Sequence, residues 1–340
     1  MKTSLRYSSG CLAILLFGVA LVSACSSAPA KPATPAVQRV SLQLQWVTQA
    51  QFAGYYVALD KGYYRQEGID LTIKPGGPDL APIDLVDSGV SDFGTSLLAD
   101  LATSIQSGKL IISIAQIQQA NGLVLVANKS SGIKQPQDLV GKKVGVWLGS
   151  WEAQFNALLA KESIAPQSVQ VVSQGFSMEP FLKGDLNVAS AMIYNEYYMV
   201  LESGVKPEDL NVIDYATYGL DFPGDTLFTS RKTAKDRPDL CVRMLRASLK
   251  GWQYAVDHPE ETADIVLKYD KSGVQTRQHQ LSMMKEIAKL VQVSGRPLGQ
   301  TDRAAAQRTI ETLVRYNILK GAIKPEDVYT NEFWEQARPK

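Results

Sequence analysis

Short apolar runs alternate with helix-like segments along the chain from Val40 onward. The run VSLQLQW alternates apolar and polar residues, which predicts a half-buried strand. Residues 55–67 then have the pattern of one helix closed by Gly68, and the strand IDLTIKPGG follows. The order continues with a short helix and a strand at APIDLVDSGVSDFGTS, a helix at SLLADLATSIQSGK, and an apolar strand at LIISIAQI. Strands that alternate with helices in this way predict parallel βαβ units.

The stretch GLVLVANKSSGIKQPQDLVGKKVGVWLGSW then looks like a crossing between two lobes, with strands at GLVLVANK and KKVGVWL. The second alternating set that follows predicts a helix over residues 152–162, strands at VQVVSQ and VASAMIY, and a helix from about Asn195. The segment LNVIDYATYGLDFPGDTLFTS returns in extended form, and the tail from Pro238 is almost wholly helical. We therefore expect an α/β protein of two lobes joined by two crossings, with a helical C-terminal end packing back.

The N-terminal residues have the pattern of an export signal followed by an anchor. Lys2 and Arg6 precede the apolar or small run CLAILLFGVALV, which is too short to span a bilayer as a permanent helix. Small residues then lead to Cys25, which resembles the bacterial lipobox, whose cysteine carries lipid. The Ser/Ala/Pro stretch after it suits a tether. The alternative is an ordinary signal peptide with an incidental cysteine.

These patterns divide the chain into five segments. We expect a signal peptide at 1–24, a lipid-anchored linker at 25–39, the first part of lobe 1 at 40–128, lobe 2 at 129–222, and the lobe 1 return with the helical C-terminal segment at 223–340. The protein would then lie on the extracytoplasmic face of the cell membrane, held by lipid on Cys25.

Charge and cysteine content exclude several function classes. Removing residues 1–24 takes two of the 35 basic residues and none of the 34 acidic ones, which leaves 33 against 34 and a net charge of −1. No basic run of five or more occurs in the sequence, so a nucleic-acid partner is not expected. Once Cys11 leaves with the signal and Cys25 is lipidated, Cys241 is the remaining thiol. Its apolar helical neighbours predict a buried structural cysteine rather than a disulfide or metal ligand.

The motif GYYVALDKGYYRQEGIDLTI, followed in order by VDSGVSDFGTS, DLVGKKVGV and AMIYNEY, resembles the bacterial solute-binding proteins related to thiamine-pyrimidine synthases. It is similar also to the alkanesulfonate and taurine binders. The resemblance covers roughly residues 40–319. It implies a type II periplasmic-binding-protein fold, whose two lobes close on one small molecule without a covalent step or a cofactor. It also implies the permease and ATPase subunits of an ABC importer as partners.

Candidate ligand-binding residues lie where predicted strands end, because ligands of open α/β sheets bind beyond the carboxyl ends of strands. Each has a structural alternative: Ser96 and Ser150 as helix N-caps, and Asp225 as a hinge or turn residue. Trp147 and Trp151 flank a glycine turn, and we expect at least one of them to face the cleft. The candidates are Trp46, Gln49, Gln51, Phe52, Tyr55, Ser96, Trp147, Ser150, Trp151, Tyr194, Asn195, Glu196 and Asp225.

This set of side chains indicates the kind of ligand. It is aromatic and amide-rich, with no cluster of Arg or Lys at the strand ends to pair with an anion. A neutral, flat heteroaromatic molecule fits best, since stacking on an aromatic side chain contributes roughly 1–3 kcal/mol per ring.

Within the family, binders of the thiamine pyrimidine usually carry an Asn and a His in the segment corresponding to QWVTQAQFAG, and this chain has neither. A larger tricyclic ligand with a polyhydroxyl tail matches the extra tryptophans and the amide-rich edge better. The resemblance to the riboflavin-binding lipoproteins of this family implies riboflavin, which is the leading hypothesis. A thiamine pyrimidine precursor or an alkanesulfonate are the alternative ligands.

An enzyme related to the pyrimidine synthases is the alternative from another class. Those enzymes use a cysteine-rich motif and an active-site histidine, whereas Cys241, His258 and His279 are the residues of these types beyond the linker. No G-x-S-x-G, H-E-x-x-H, GxxxxGK[ST] or G-x-G-x-x-G motif occurs in the sequence. We therefore expect a binding protein without catalytic residues. A sensor lobe that reports ligand to a receptor would use the same closing cleft.

Overall fold

The computed structural model describes residues 37–148, 151–321 and 323–338. Within these ranges the chain forms two five-stranded sheets with helices packed on them. The strands are β1 (Gln38–Gln43), β2 (Ile69–Lys74), β3 (Phe93–Leu97), β4 (Ile111–Gln116), β5 (Leu123–Asn128), β6 (Lys143–Val146), β7 (Gln170–Ser173), β8 (Val188–Met192), β9 (Leu210–Asp214) and β10 (Asp225–Ser230). The helices are α1 (Ala53–Asp60), α2 (Tyr63–Gln66), α3 (Pro82–Asp87), α4 (Leu98–Gln106), α5 (Glu152–Lys161), α6 (Glu179–Leu182), α7 (Glu196–Glu202), α8 (Arg231–Asp236), α9 (Pro238–Asp257), α10 (Pro259–Tyr269), α11 (Arg277–Val291), α12 (Arg303–Arg315), α13 (Pro325–Val328) and α14 (Glu332–Ala337).

The two sheets have matching topologies. The first has the order β2-β1-β3-β10-β4, and β10 runs antiparallel to both neighbours. The second has the order β7-β6-β8-β5-β9, and β5 runs antiparallel to both neighbours. The chain leaves the first sheet after β4 and returns to it with β10. We call the first sheet with its helices lobe 1 and the second with its helices lobe 2. The expected α/β fold of two lobes with a helical C-terminal end is confirmed.

Two details differ from the sequence prediction. Strand β5 was assigned to lobe 1 with residues 40–128, but it pairs with β8 and β9 in lobe 2. Apolar alternation identifies a strand but not the sheet it joins, which is a tertiary property. Residues 55–67 form two helices instead of one, because Gly62 adopts a left-handed φ of 71° between α1 and α2. The other domain boundaries stay a prediction.

The core of lobe 1 is built on the crossing of α1 with α9. Leu245, Leu249 and Trp252 form a buried apolar stripe on α9. The two backbones approach so closely that a Cβ atom at Gly54 would lie 2.2 Å from the Trp252 ring, and one at Gly251 would lie 2.1 Å from the Gly54 carbonyl oxygen. Glycine is required at both positions, and the crossing fixes α1 directly behind the first strand end.

Candidate functional site

Three tryptophans from both lobes meet where the two sheets face each other. Trp46 follows β1 in lobe 1, whereas Trp147 follows β6 and Trp151 precedes α5 in lobe 2. Their ring centroids lie 5.8 Å (Trp46–Trp147), 5.3 Å (Trp46–Trp151) and 5.4 Å (Trp147–Trp151) apart in edge-to-face geometry. We call this group the indole cluster. It joins the lobes through aromatic contacts at the centre of the cleft.

The indole cluster is closed to solvent. Its three side chains are between 4% and 6% exposed, and the void among them and their neighbours measures about 10 Å³. Trp147 and Trp151 both point from lobe 2 toward Trp46 of lobe 1, and each of the three rings covers the other two in this conformation. About 10 Å³ is the space of a single water molecule. A flat organic ligand enters only if Trp46 moves away from the two lobe 2 rings.

A layer of amides lies behind Trp46 in lobe 1, built on the carboxylate at the start of β10. Gln45 Nε2 donates to Asp225 Oδ1 at 2.7 Å and Gln51 Nε2 donates to Asp225 Oδ2 at 2.8 Å. Gln49 Nε2 donates to Gln51 Oε1 at 2.8 Å. Burial raises the pKa of Asp225 to about 7, although both amide bonds oppose that shift. This amide layer fixes the two glutamines that line the indole cluster.

The lobe 2 wall comes from the junction of β8 with α7. Glu196 accepts hydrogen bonds from Met192 N–H at 2.9 Å and from Asn195 Nδ2 at 2.7 Å. Burial raises the pKa of Glu196 to about 7. Tyr194 is fully buried beside them. The wall therefore offers an amide and a buried carboxyl whose charge changes near neutral pH.

Trp151 carries two signs of a binding role. Its φ of 68° is left-handed, a conformation that costs a non-glycine residue on the order of 1–3 kcal/mol and that clusters at ligand sites. Its indole N–H is buried without a hydrogen-bond partner in the part of the chain that the structure describes. Its backbone N–H faces Asp100 Oδ2 of lobe 1 at 3.4 Å. An unused buried donor is one that a polar ligand can satisfy.

His279 is a cleft residue that sequence reasoning missed. It lies on α11, which packs against α9 and α10 of lobe 1. Its Nε2 lies 2.9 Å from Asn195 Oδ1, and its Nδ1 lies 3.0 Å from Glu202 Oε2, both on lobe 2. Tyr198 of α7 also donates to Glu286 of α11 at 3.1 Å. We call this polar contact between α7 and α11 the cross-lobe latch. The sequence around His279 has the pattern of an amphipathic helix and does not indicate that this residue faces the cleft. The rarity of histidine in the chain was the one feature that set it apart.

A second cavity of about 700 Å³ adjoins the indole cluster at the mouth of the cleft. Trp46, Gln49 and Asn195 line both spaces. Phe176 of lobe 2 also lines this mouth cavity, and its ring centroid lies 4.9 Å from that of Trp46. Phe176 was not among the sequence candidates, because it sits in an irregular segment after β7.

Most sequence candidates converge on this region. The residues that the structure brings around the indole cluster are Trp46, Gln49, Gln51, Trp147, Trp151, Tyr194, Asn195 and Glu196, with Met192 in addition. Asp225 supports them through Gln51.

Three candidates lie elsewhere. Phe52 is buried before α1, and Tyr55 packs edge-on against Trp252 at 5.6 Å in the lobe 1 core. Ser96 lies inside β3, which runs to Leu97, and pairs with Thr226 of β10. Ser150 and Cys25 fall outside the described residues, as does the signal peptide.

The thiol and the second histidine have structural positions. Cys241 is fully buried on α9, and burial raises its pKa to about 12, which agrees with the predicted structural cysteine. His258 precedes α10 and stacks on Tyr254 with centroids 4.0 Å apart. Among the described residues there is no cluster of three or more His, Cys, Asp or Glu that could hold a metal ion.

A larger groove of about 1100 Å³ lies on the outer face of lobe 1 between α9 and α14. None of the candidate residues lines it. In the described ranges, no helix is both long and apolar enough to cross a membrane.

The sequence matches the model of a family described as NMT1/THI5 like over residues 49–262. It is 25% identical to the riboflavin-binding protein RibY of Chloroflexus aurantiacus, with 95% of this chain and 97% of that protein covered. It is 22% identical to a formylaminopyrimidine-binding protein of Halalkalibacterium halodurans, with 93% and 97% covered. A 4-amino-5-hydroxymethyl-2-methylpyrimidine phosphate synthase of Legionella pneumophila is 26% identical over 67% of this chain and 72% of its own length.

The fold is shared with solved structures of low sequence similarity. The ligand-binding component of an ABC-type import system from Staphylococcus aureus superposes with a TM-score of 0.65 at 13% identity. The superposition covers 88% of this chain and 99% of that one. Both chains therefore have the periplasmic-binding-protein architecture.

Proposed function

The chain belongs to the NMT1/THI5-like family, and from that premise we propose that it is an extracytoplasmic solute-binding lipoprotein of an ABC importer. In this proposal it captures a small heteroaromatic vitamin, riboflavin in the first place, by closure of its two lobes. Lipid on Cys25 holds it at the membrane, and the permease and ATPase subunits receive the ligand from the closed form.

The indole cluster is the observation that carries this proposal. It supplies aromatic faces from both lobes at one point, so a flat ring inserted between Trp46 and the lobe 2 rings would contact both lobes at once. Stacking contributes roughly 1–3 kcal/mol per ring, and two such contacts with hydrogen bonds are sufficient for sub-micromolar affinity, about −8 kcal/mol. The relative named as riboflavin-binding, aligned over nearly the whole chain, supports a tricyclic ligand.

The electrostatics of the cleft support a ligand without negative charge. Among the described residues, no Lys or Arg lines either the indole cluster or the mouth cavity. The ionisable groups at these surfaces include Glu196 and Glu202, and Asp225 lies directly behind Gln51. A sulfonate or nitrate would meet these carboxyls without a cationic partner, which disfavours the alkanesulfonate alternative.

A formylated or hydroxymethylated aminopyrimidine is the second candidate ligand. The buried carboxyl of Glu196, next to Asn195, could exchange hydrogen bonds with the amino and ring nitrogens of such a molecule. The relative named as formylaminopyrimidine-binding aligns over a similar length. A single small ring would fill less of the indole cluster and leave the mouth cavity unused.

Binding without chemistry is favoured over a synthase activity. The thiol of Cys241 is buried away from the cleft, and its raised pKa makes it a poor nucleophile. His279 reaches the cleft but is engaged by Asn195 and Glu202. A binding protein returns its ligand unchanged, so mass spectrometry of ligand recovered after incubation separates the two classes.

A ligand titration tests the proposal. The chain from Ser26 onward is titrated calorimetrically with riboflavin, the formylaminopyrimidine and an alkanesulfonate. The proposal expects one-to-one riboflavin binding with sub-micromolar affinity, and weaker or absent binding of the other two. Tight binding of the pyrimidine alone would replace riboflavin with the second candidate. Absence of binding by all three would contradict the vitamin-binding proposal.

A further inference from the structure

The mouth cavity opens directly from the indole cluster. Because Trp46, Gln49 and Asn195 line both spaces, a substituent on a ring held among the tryptophans would extend into the mouth cavity. The cavity measures about 700 Å³, which is ample for a flexible chain of several carbon atoms. The indole cluster and the mouth cavity are therefore neighbouring spaces, which one ligand would occupy together once the three rings separate.

The lining of the mouth cavity combines apolar side chains, among them Val47, Met199 and Val274, with hydroxyl and amide groups. Ser272, Gln275 and Thr276 line it from the loop before α11 in lobe 1, and Ser203 lines it from the end of α7 in lobe 2. A hydroxyl group both donates and accepts, and an amide carries a donor and an acceptor side by side. A chain of alcohols presents the same mixed pattern, so such a chain can bond to both lobes.

The charges in the mouth cavity disfavour an anion. Glu202 contributes a carboxylate, and no Lys or Arg in the part of the chain that the structure describes lines the cavity. His279 faces Glu202 through Nδ1 and Asn195 through Nε2, so both of its ring nitrogens are already engaged. A phosphate monoester carries a charge of about −1.5 to −2 at neutral pH. It would face the Glu202 carboxylate without a free cationic donor.

We propose that the mouth cavity is a subsite for a neutral polyhydroxyl side chain on the ligand's flat ring, and that it discriminates against the phosphate ester of the same molecule. This inference rests on the proposed function, since it requires a ring among the tryptophans. It predicts the order of affinity among ligands that share one ring system and differ in the tail.

Three flavins with the same ring test it: riboflavin, lumiflavin, in which a methyl group replaces the tail, and flavin mononucleotide, the phosphate ester of riboflavin. Each is titrated calorimetrically against the full chain in mild detergent. Riboflavin is expected to bind at least about tenfold more tightly than lumiflavin, since two or more tail hydrogen bonds are lost. Flavin mononucleotide is expected to bind at least about tenfold more weakly than riboflavin.

Glu202→Gln identifies the residue responsible for rejecting phosphate. The variant removes the carboxylate and is expected to narrow the affinity ratio of riboflavin to flavin mononucleotide several-fold, while the affinity for lumiflavin changes less. Glu208→Gln is the matched control, because Glu208 is an exposed glutamate of lobe 2 that lines neither space. Glu208→Gln is expected to leave the affinity ratio of riboflavin to flavin mononucleotide unchanged.

The outcomes separate this inference from the proposed function. Equal affinity for lumiflavin and riboflavin would overturn the subsite while leaving riboflavin binding in place. Equal affinity for riboflavin and flavin mononucleotide would overturn the discrimination against phosphate. Failure of all three flavins to bind would overturn the riboflavin proposal and this inference together.

Discussion

Trp46 lies more than 100 residues before Trp147 and Trp151 in the sequence. The three side chains nevertheless form one cluster. Aromatic rings that only filled a core would be expected inside one lobe, as Tyr55 and Trp252 are. These three instead contact one another across two lobes, and the indole N–H of Trp151 is buried without a partner among the described residues. At the scale of single residues, they are the groups to which we assign the proposed ligand binding.

Removing two of these rings should weaken binding strongly. Trp46→Ala combined with Trp151→Ala is expected to lower riboflavin affinity by roughly two or more powers of ten, because each ring contributes a stacking contact of roughly 1–3 kcal/mol. Trp46→Phe combined with Trp151→Phe keeps aromatic faces and should lose less. Calorimetric titration measures both variants, with the thermal midpoint as the check on folding. Unchanged affinity in the double alanine variant would place the ligand elsewhere.

Asp100 should make stability depend on pH. Burial raises its pKa from 3.8 to about 7, so the folded chain holds this proton more tightly than the unfolded chain. Its stabilising contribution is complete below about pH 4 and is lost as the pH rises through about 7. In Asp100→Asn, the free energy of unfolding should therefore fall less steeply over that interval than in the unaltered chain.

Urea unfolding at a series of pH values measures this slope. Asp79→Asn is the control, because Asp79 is an exposed aspartate of the same lobe. If Asp100→Asn and the unaltered chain have the same slope, the carboxyl of Asp100 does not titrate in that interval.

At the scale of elements, the sequence did not reveal how closely the backbones of α1 and α9 approach each other where they cross. Gly54 lies within a helix, where glycine is unfavourable by roughly 0.5–1 kcal/mol relative to alanine. The approach of the Trp252 ring explains why alanine does not fit there.

Gly54→Ala should therefore destabilise the protein, although it raises helix propensity. Overpacking of this kind costs typically 1–3 kcal/mol, measured as a loss in the free energy of unfolding in urea. Gly175→Ala is the comparison, since a Cβ at that position meets no atom within 4 Å. A Gly54→Ala variant as stable as Gly175→Ala would mean that α1 and α9 separate easily.

The cross-lobe latch between α7 and α11 should control how long a ligand stays bound. His279→Ala removes its contacts with Asn195 and Glu202, which lie on the opposite lobe. Loss of two hydrogen bonds across the cleft should speed riboflavin release by roughly tenfold, observed by stopped-flow fluorescence, with a smaller effect on association. His258→Ala, at an exposed histidine of the same lobe, should leave the release rate unchanged. Equal rates in the two variants would show that the latch does not hold the closed form.

The sequence predicted where helices and strands occur better than it predicted which strands pair with each other. Apolar alternation located the strands, and Gly68 and Gly108 correctly ended their helices, because these signals are local. Strand β5 was placed in the wrong lobe because pairing with β8 and β9 depends on residues more than 60 positions away. The break between α1 and α2 within residues 55–67 occurs at Gly62, which adopts a left-handed φ. The sequence does not show this break, because a glycine can adopt either a helical or a left-handed φ.

Part of the candidate site could also be predicted, because the end of a strand is a local signal in the sequence. Residues at strand ends converge in any fold of this type, so Trp46, Trp151 and Asn195 could be selected from the strand pattern. Ser96 was misplaced by an error of a few residues in the end of β3. His279 and Phe176 reach the cleft from a helix and an irregular segment, where no strand-end pattern exists to identify them.

At the scale of the whole molecule, the proposed function depends on movement between the lobes. The indole cluster, the bond from Trp151 to Asp100 and the cross-lobe latch all connect lobe 1 with lobe 2. A void of about 10 Å³ cannot hold a tricyclic ring, so binding requires these contacts to rearrange. Hinge closure around a ligand, with the two crossings as hinges, is the motion that this topology allows.

A crystal structure of the protein with riboflavin would test this account most directly. The centroids of Trp46 and Trp151 are 5.3 Å apart here. We expect them to move apart, with the flavin ring between Trp46 and the lobe 2 tryptophans and its polyhydroxyl chain in the mouth cavity. A flavin bound outside the cleft, with the indole cluster still closed, would contradict the account.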